Sequence, residues 1–287
     1  MKSPLTVGTL LRRFQGKVLL TWTLILVETM LMALIPLLIG LAIDGLLQSD
    51  YEAFLQLAWM MVALVVVAIA RRIYDTRVYA TARIVLARSQ AERRGHAGVS
   101  TLNARVAMGR ELVDFLESTL PDAMAAAVQL LVALAVLLTF SPVLALASAL
   151  VAIAMAILYA CFHGRFFRLN GVLNQQSEQQ VTLLRQGAGR PFWLHLLRLR
   201  RVEVQLSDTE AGLYGLVFLV LFSLVLFNLW FAAAEMTLTA GMIFSIVSYS
   251  WEFVDSALAL PITLQSWSRL AEIMARINDD PPVSLAK

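Results

Sequence analysis

The sequence has 287 residues, of which 59% are apolar and 15% are charged, and its formal net charge is +3. A soluble domain usually contains about 25% charged residues, and the mean hydropathy here is +0.74. An ordinary water-soluble enzyme is therefore excluded, and so is a disordered chain, which needs low hydrophobicity. The single cysteine, Cys161, excludes a disulfide framework. The composition predicts a polytopic membrane protein.

Six segments are apolar enough to cross about 30 Å of hydrocarbon, which takes roughly 20 residues each. In chain order they cover about residues 18–43, 53–70, 123–140, 142–164, 211–234 and 240–265. The third and fourth form one hairpin, because Pro142 suits the first turn of a helix. The predicted fold class is an all-α membrane protein with six transmembrane helices.

The basic residues predict the orientation of these spans. All 23 lie in the N-terminal tail, in the segments 71–120 and 164–210, or after the sixth span. The opposite loops contain acids such as Asp44 and Glu235. The positive-inside rule then places both termini in the cytoplasm, and we expect a plasma (inner) membrane protein. The Arg71-Arg72 pair is interpreted as a topology signal, and the basic surface as contacting lipid rather than nucleic acid.

The two long basic segments are predicted to be helical hairpins that project into the cytoplasm. No proline interrupts residues 54–94, which as one helix would be roughly 60 Å long. Glycines predict breaks at 95–98 and at 187–191. Helices 1–3 and 4–6 would then be two topological halves, each with one cytoplasmic hairpin.

Several short motifs occur at matching places in one known family. They are 36–44 at the end of the first span, 238–242 at the start of the sixth, Pro261, and 268–277 in its extension. With this layout, the chain resembles the six-helix transmembrane domain of ABC (ATP-binding cassette) exporters. The implied domains are an N-terminal tail at 1–17, the transmembrane domain at 18–277 and a short tail at 278–287.

The resemblance implies a dimer, homomeric or heteromeric, that is powered by ATP. This sequence contains no phosphate-binding loop, since the Gly16-Lys17 pair lacks the upstream glycine. We therefore expect no cofactor in this chain, and ATP to act through a separate nucleotide-binding subunit. The hairpin turns would contact that ATPase, through Gly95, His96, Gly98, Gly109, Gly187, Arg190 and His195.

Three acids lie inside the predicted spans. Glu28 is in the first, and Glu252 and Asp255 share one face of the sixth. Their spacing predicts a position near the bilayer midplane, with no Lys or Arg at that depth. A charge there costs at least about 2.5 kcal/mol unless it faces a cavity or a partner.

These acids therefore predict a pathway for a cationic substrate or for protons, to which Asn228 in the fifth span would add a polar group. The alternative is that they bind hydroxyl groups inside the bundle, those of Thr29, Ser245, Ser248 and Tyr249.

The preferred function is the transmembrane subunit of an ABC-type exporter that moves a small molecule or peptide by alternating access. One alternative is a proton-driven secondary transporter on the same scaffold. Another is a membrane scaffold, or a regulatory subunit that does not transport.

Overall fold

The computed structural model describes residues 15–92, 107, 109–186 and 189–278, and long helices account for nearly all of them. The helices are α1 (Gln15–Leu47), α2 (Glu52–Glu92), α3 (Leu120–Phe140), α4 (Pro142–Gln186), α5 (Arg190–Ala234) and α6 (Ala240–Asn278). A π-helical turn, Phe115–Thr119, immediately precedes α3. The prediction of an all-α membrane protein is confirmed.

Five segments of the described chain are long and apolar enough to span a membrane: Gly16–Leu47, Glu52–Arg88, Gly109–Phe140, Pro142–Ser177 and Arg190–Glu235. Much of their apolar surface is exposed, as at Leu19, Trp59 and Leu226, which is expected of side chains that face lipid. The sixth predicted span lies in α6, which is also long and carries Glu252 and Asp255, and which is not among these five segments.

Three helices are much longer than a bilayer requires. The helix α2 has 41 residues, and α4 and α5 have 45 residues each. At 1.5 Å per residue they measure about 60 to 70 Å. The predicted continuation of the second helix is therefore confirmed.

The predicted break at 187–191 is also confirmed, since α4 ends at Gln186 and α5 begins at Arg190. Gly189 is the extended residue before α5, and a proline occupies the first turn, where its missing N–H costs no hydrogen bond. The break predicted at 95–98 lies outside the described residues.

The chain divides into two compact units, and these units are not the predicted halves. Unit 1 comprises 1–139 and 236–287, which includes α1, α2, α3 and α6; unit 2 comprises 140–235, which includes α4 and α5. The packing units therefore differ from the two topological halves, helices 1–3 and 4–6, because α6 packs on α1.

Unit 2 is an antiparallel helical hairpin. Ser141 connects α3 to α4, and its Oγ accepts a hydrogen bond from the Val143 backbone N–H at 3.2 Å. Along α5, residues repeating every three or four positions are buried: Leu213, Val217, Leu221, Leu224, Asn228 and Ala232. This spacing places them on one face of the helix.

In unit 1, α1 and α6 approach each other closely at two glycines. A Cβ atom on Gly241 would lie 1.9 Å from the Gly40 carbonyl oxygen, and a Cβ atom on Gly40 would lie 2.5 Å from the Gly241 carbonyl oxygen. Asp44 completes this contact by accepting hydrogen bonds from the Gly241 backbone N–H at 2.8 Å and from the Thr239 hydroxyl. Its carboxylate thus binds the first turn of α6, where backbone N–H groups have no partner within the helix.

Two side chains of α6 extend this contact along α1. The Ser245 hydroxyl donates to the Pro36 carbonyl at 3.0 Å, and the Tyr249 hydroxyl donates to the Ala33 carbonyl at 2.7 Å. Pro36 has no N–H, so it interrupts the hydrogen bonds of α1 in this same region. The two hydroxyls therefore bind α1 close to the place where proline interrupts its hydrogen bonding.

The glycine contact yields a stability prediction. Gly241→Ala should lower the free energy of unfolding by about 1 to 3 kcal/mol, because the added methyl group overlaps backbone atoms of α1 that a side-chain rotation cannot move away. The measurement is thermal unfolding of the purified protein in detergent, followed by tryptophan fluorescence.

Gly212→Ala in α5 is the matched control, because a Cβ atom at that position meets no atom within 4 Å. It should leave the unfolding midpoint unchanged or raise it, since alanine favours a helix over glycine by up to about 1 kcal/mol. Equal midpoints for the two variants would contradict the close approach of α1 and α6.

Candidate functional site

The α1–α6 hydrogen bonds fix the relative depth of the three predicted acids. The Tyr249–Ala33 hydrogen bond serves as the reference point for depth. Measured from it along the helix axes, Glu28 lies about 7.5 Å away on α1. Glu252 lies about 4.5 Å and Asp255 about 9 Å away on α6, in the same direction. The helices are antiparallel, so Glu28 is level with the segment between Glu252 and Asp255.

Distances along the helices from Asp44 show that these acids lie at different depths in the membrane. If Asp44 marks one boundary of a hydrocarbon layer about 30 Å thick, Glu28 lies about 24 Å from that boundary along α1. Gly241 pairs with Asp44, and Glu252 lies about 17 Å from Gly241 along α6. Of these two acids, Glu252 is therefore the one nearer the midplane, and Glu28 lies several ångströms further from the Asp44 boundary.

Glu28 has a basic partner that sequence reasoning missed. The Arg71 guanidinium donates from Nε to Glu28 Oε2 and from Nη2 to Glu28 Oε1, the latter at 3.3 Å. A third bond runs from Arg71 Nη1 to Asp75 Oδ2 at 3.2 Å. The expectation that no Lys or Arg reaches the depth of Glu28 is wrong, and Arg71 is more than a topology signal.

A tight turn explains why Glu28 and Arg71 meet. The helices α1 and α2 are separated by only four residues, with Asp50 accepting a hydrogen bond from the Glu52 backbone N–H at the start of α2. Glu28 precedes the last residue of α1 by as many positions as Arg71 follows the first residue of α2. In an antiparallel helical hairpin such positions lie at the same height.

The ion pair between α1 and α2 belongs to a larger polar group at that height. Asp75 is buried, and Thr21 on α1 is fully buried with its hydroxyl beside the Asp75 carboxyl. Sequence reasoning overlooked Asp75 because it follows the predicted second span. The signal that could have found it is the Arg71–Asp75 spacing of four residues, which places both side chains on one helical face.

A second ion pair fixes the π-helical turn before α3. Arg83 on α2 donates to Asp114 Oδ1 from Nε at 3.0 Å and from Nη2 at 2.6 Å, and it also binds Glu117. The buried Tyr79 hydroxyl donates to the Leu116 carbonyl at 3.0 Å. Turns of this kind occur often at functional sites, and here the turn is attached to the helix that carries Arg71.

The other two predicted acids differ in exposure. Glu252 is half-buried and Asp255 is exposed. Among the described residues, the Glu252 Oε2 atom is buried without a hydrogen-bond partner. The hydroxyls of Ser245 and Tyr249 donate to α1 carbonyls, so they do not serve these acids as the alternative interpretation required. Asn228 is fully buried in unit 2.

The residues predicted to contact an ATPase fall into three groups. Gly95, His96, Gly98 and Gly187 lie outside the described residues. Gly109 and His195 are buried, with Gly109 packed against the Leu86 side chain. Arg190 is exposed at the first position of α5. Their role in binding a partner stays a prediction.

The described residues offer this site carboxylates, hydroxyls and the Arg71 guanidinium. No group of three or more His, Cys, Asp or Glu side chains in the described part of the chain is arranged to hold a metal ion. Glu252 and Asp255 can therefore bind a positively charged group. Glu28 and Asp75 already share the positive charge of Arg71.

Comparison with protein families gives a match over most of the chain. The family model described as "ABC transporter transmembrane region" matches residues 8–241. This segment covers α1 to α5 and reaches the Gly241 contact of α6. Among curated proteins, none matches this chain.

The ion pair yields a second stability prediction. Arg71→Gln should lower the free energy of unfolding by about 3 kcal/mol, because two largely buried carboxylates lose their guanidinium. Glu28→Gln should cost less, because Arg71 then remains paired with Asp75. Thermal unfolding measures both variants.

Arg72→Gln is the matched control, since Arg72 is exposed and forms no salt bridge in the described part of the chain. Its unfolding midpoint should equal that of the unmodified protein. An Arg71→Gln variant as stable as Arg72→Gln would show that the ion pair contributes nothing to the packing of α1 on α2.

Proposed function

Because the chain belongs to the family of ABC transporter transmembrane regions, we propose that it exports a small molecule or peptide by alternating access, powered by a separate ATPase subunit. That the chain is a multi-pass membrane protein and a transmembrane subunit of an ABC-type transporter follows from the family itself. Export, the separate ATPase, the dimer and the plasma membrane are the parts proposed here.

The length of the helices supports coupling to an ATPase. A helix needs roughly 20 residues to cross the hydrocarbon, yet α2, α4 and α5 have 41, 45 and 45 residues. Each therefore extends roughly 30 Å or more beyond the layer. Through extensions of this length, a cytoplasmic ATPase could move the membrane-spanning parts of the helices. The length of these helices is the observation that carries the proposal.

The charge distribution supports the proposed orientation. The basic residues lie on the side of these extensions, and the opposite loops carry acids such as Asp44, Asp50 and Glu235. With the positive-inside rule, both termini and the extensions belong in the cytoplasm. An ATPase that uses cellular ATP would meet the chain on that side.

The proposed substrate contacts are Glu252 and Asp255. Glu252 is half-buried, has a carboxylate oxygen without a hydrogen-bond partner among the described residues, and lies near the midplane. These properties suit a cationic group of the substrate, which would supply the missing partner. Glu28 is already neutralised by Arg71, so we assign it a role in the contact between α1 and α2. It would affect the substrate pathway indirectly, by holding these two helices in place. Asn228 is proposed as a further polar group of the pathway.

The first test is purification from the native membrane in a mild detergent, with mass spectrometry and an ATPase assay. We expect a nucleotide-binding protein in stoichiometric amount and ATPase activity that depends on this chain. Recovery of the chain without such a partner and without ATPase activity would contradict the ATP-driven mechanism. Proton-driven transport in vesicles would then be the function to test.

The proposed substrate contact is tested with Glu252→Gln in the purified complex. The measurement is ATPase stimulation by two lipophilic dyes of similar size, one cationic and one uncharged. A hydrogen-bonded charge contributes about 1.5 to 3 kcal/mol, so the half-maximal concentration of the cationic dye should rise about tenfold or more.

Stimulation by the uncharged dye should not change in the Glu252→Gln variant. Glu203→Gln is the control for removal of an acid, since Glu203 is exposed on α5, and it should leave both responses unchanged. Equal effects of Glu252→Gln on the two dyes would rule out charge recognition by Glu252.

A further inference from the structure

Beside the Arg71 ion pair, two buried oxygen atoms lack hydrogen-bond partners among the described residues. Asp75 is 4% exposed; its Oδ2 accepts the bond from Arg71, while its Oδ1 accepts none. The Thr21 hydroxyl on α1 lies beside this carboxyl but forms no hydrogen bond of good geometry. A buried polar atom without a partner costs about 1 to 3 kcal/mol, so this pair of atoms requires an explanation.

The charges of the group do not balance. Arg71 faces two carboxylates, and Glu28 takes two of its three hydrogen bonds. Asp75 receives one bond at 3.2 Å, which is long for a charge-assisted hydrogen bond. If both acids are ionised, a buried group carries one uncompensated negative charge, which is unfavourable away from water.

Other titratable groups facing Asp75 do not compensate this charge. Glu117, from the π-helical turn, adds negative potential at Asp75 and is itself bound to Arg83. On α2, the Tyr79 hydroxyl directs its proton to the Leu116 carbonyl. From α1, only Glu28 and the uncharged Thr21 contribute among the described residues that contact this ion pair.

A single proton satisfies these requirements better than a metal ion does. Hard metal ions take about six oxygen ligands or more, and only two unsatisfied oxygens meet at this point. A proton needs one oxygen that holds it and a second that accepts the hydrogen bond.

We propose that Asp75 is a proton-binding site, in which Oδ1 holds the proton and donates it to the Thr21 hydroxyl oxygen. One O–H bond forms on Asp75 with a proton taken from water, and no other bond or oxidation state changes. The group of Glu28, Arg71 and Asp75 then becomes electrically neutral. Because Thr21 lies on α1 and Asp75 on α2, release of the proton leaves a negative charge at the contact between these helices.

The site is tested on the full chain, purified in lipid nanodiscs without any ATPase, so the result does not depend on the proposed transport mechanism. Infrared difference spectroscopy across the physiological pH range should show the carbonyl band of a protonated carboxylic acid. Asp75→Asn should abolish this band. Asparagine has the shape of the neutral acid, so the variant should fold.

Two variants test which neighbours stabilise the proton. Glu28→Gln frees Arg71 to pair fully with Asp75, so the ratio of protonated to ionised Asp75 should fall about tenfold or more. Thr21→Val keeps the shape of the side chain but removes the hydroxyl, and it should shift the frequency of the band, because the protonated carboxyl loses its hydrogen-bond partner. Glu252→Gln is the control for the other acid with an unpartnered oxygen, and it should leave the Asp75 band in place.

Three results would overturn the proposal. The first is that no protonated-acid band of the unmodified protein disappears in the Asp75→Asn variant. The second is a band that disappears in Glu252→Gln and persists in Asp75→Asn. The third is a response of the Asp75 band to sodium chloride at fixed pH that choline chloride at the same ionic strength does not produce, because screening affects both salts equally and only a bound metal cation would distinguish them.

Discussion

The guanidinium of Arg71 determines how charge is arranged in unit 1. It joins Glu28 on α1 to Asp75 on α2 and so places three charged groups inside the contact between these helices. A charge in an apolar layer costs at least about 2.5 kcal/mol when it has no partner. The contact is therefore stable only while the helices hold the register in which Arg71 reaches both acids, and movement of α1 along α2 would separate them.

A second contact holds the opposite end of α1. There Gly40 and Gly241 let the backbones of α1 and α6 approach, and the Asp44 carboxylate binds the first turn of α6. Small residues permit such contacts between helices in membranes, where the hydrophobic effect does not drive helices together. The helix α1 is thus attached to α6 near Asp44 and to α2 near Arg71. Glu252 lies between these two attachments in depth, so a substrate there would contact a region that both attachments position.

The long helices connect this region with the parts of the chain beyond the hydrocarbon. Arg83 lies on the same helix as Arg71, three turns further on, and binds Asp114 and Glu117 around the π-helical turn. Movement of the projecting part of α2 would therefore act on the third span and on the Arg71 ion pair together. This arrangement gives a partner that binds the projecting ends a mechanical route to the buried charges.

The sequence by itself determined the fold class, the position of the helices and the family resemblance. Apolar stretches of sufficient length, the glycines at 187 and 189 and the proline at 142 act locally, through hydrophobicity and backbone geometry, so they can be read along the chain. For the same reason the motifs that indicate an ABC transporter could be recognised. The unusual acids Glu28, Glu252 and Asp255 were also visible, because an acid in an apolar stretch stands out in any sequence.

Only the tertiary structure decided the partners of those acids and the grouping of the helices. Glu28 meets Arg71 from 43 positions away, and Gly40 meets Gly241 across most of the chain. Neither contact leaves a local pattern in the sequence. Asp75 was missed for a related reason: a carboxylate after the end of an apolar stretch looks like an ordinary solvated residue until the packing of α1 buries it. Electrostatic and steric contacts depend on distance in space, and distance along the chain does not determine that quantity.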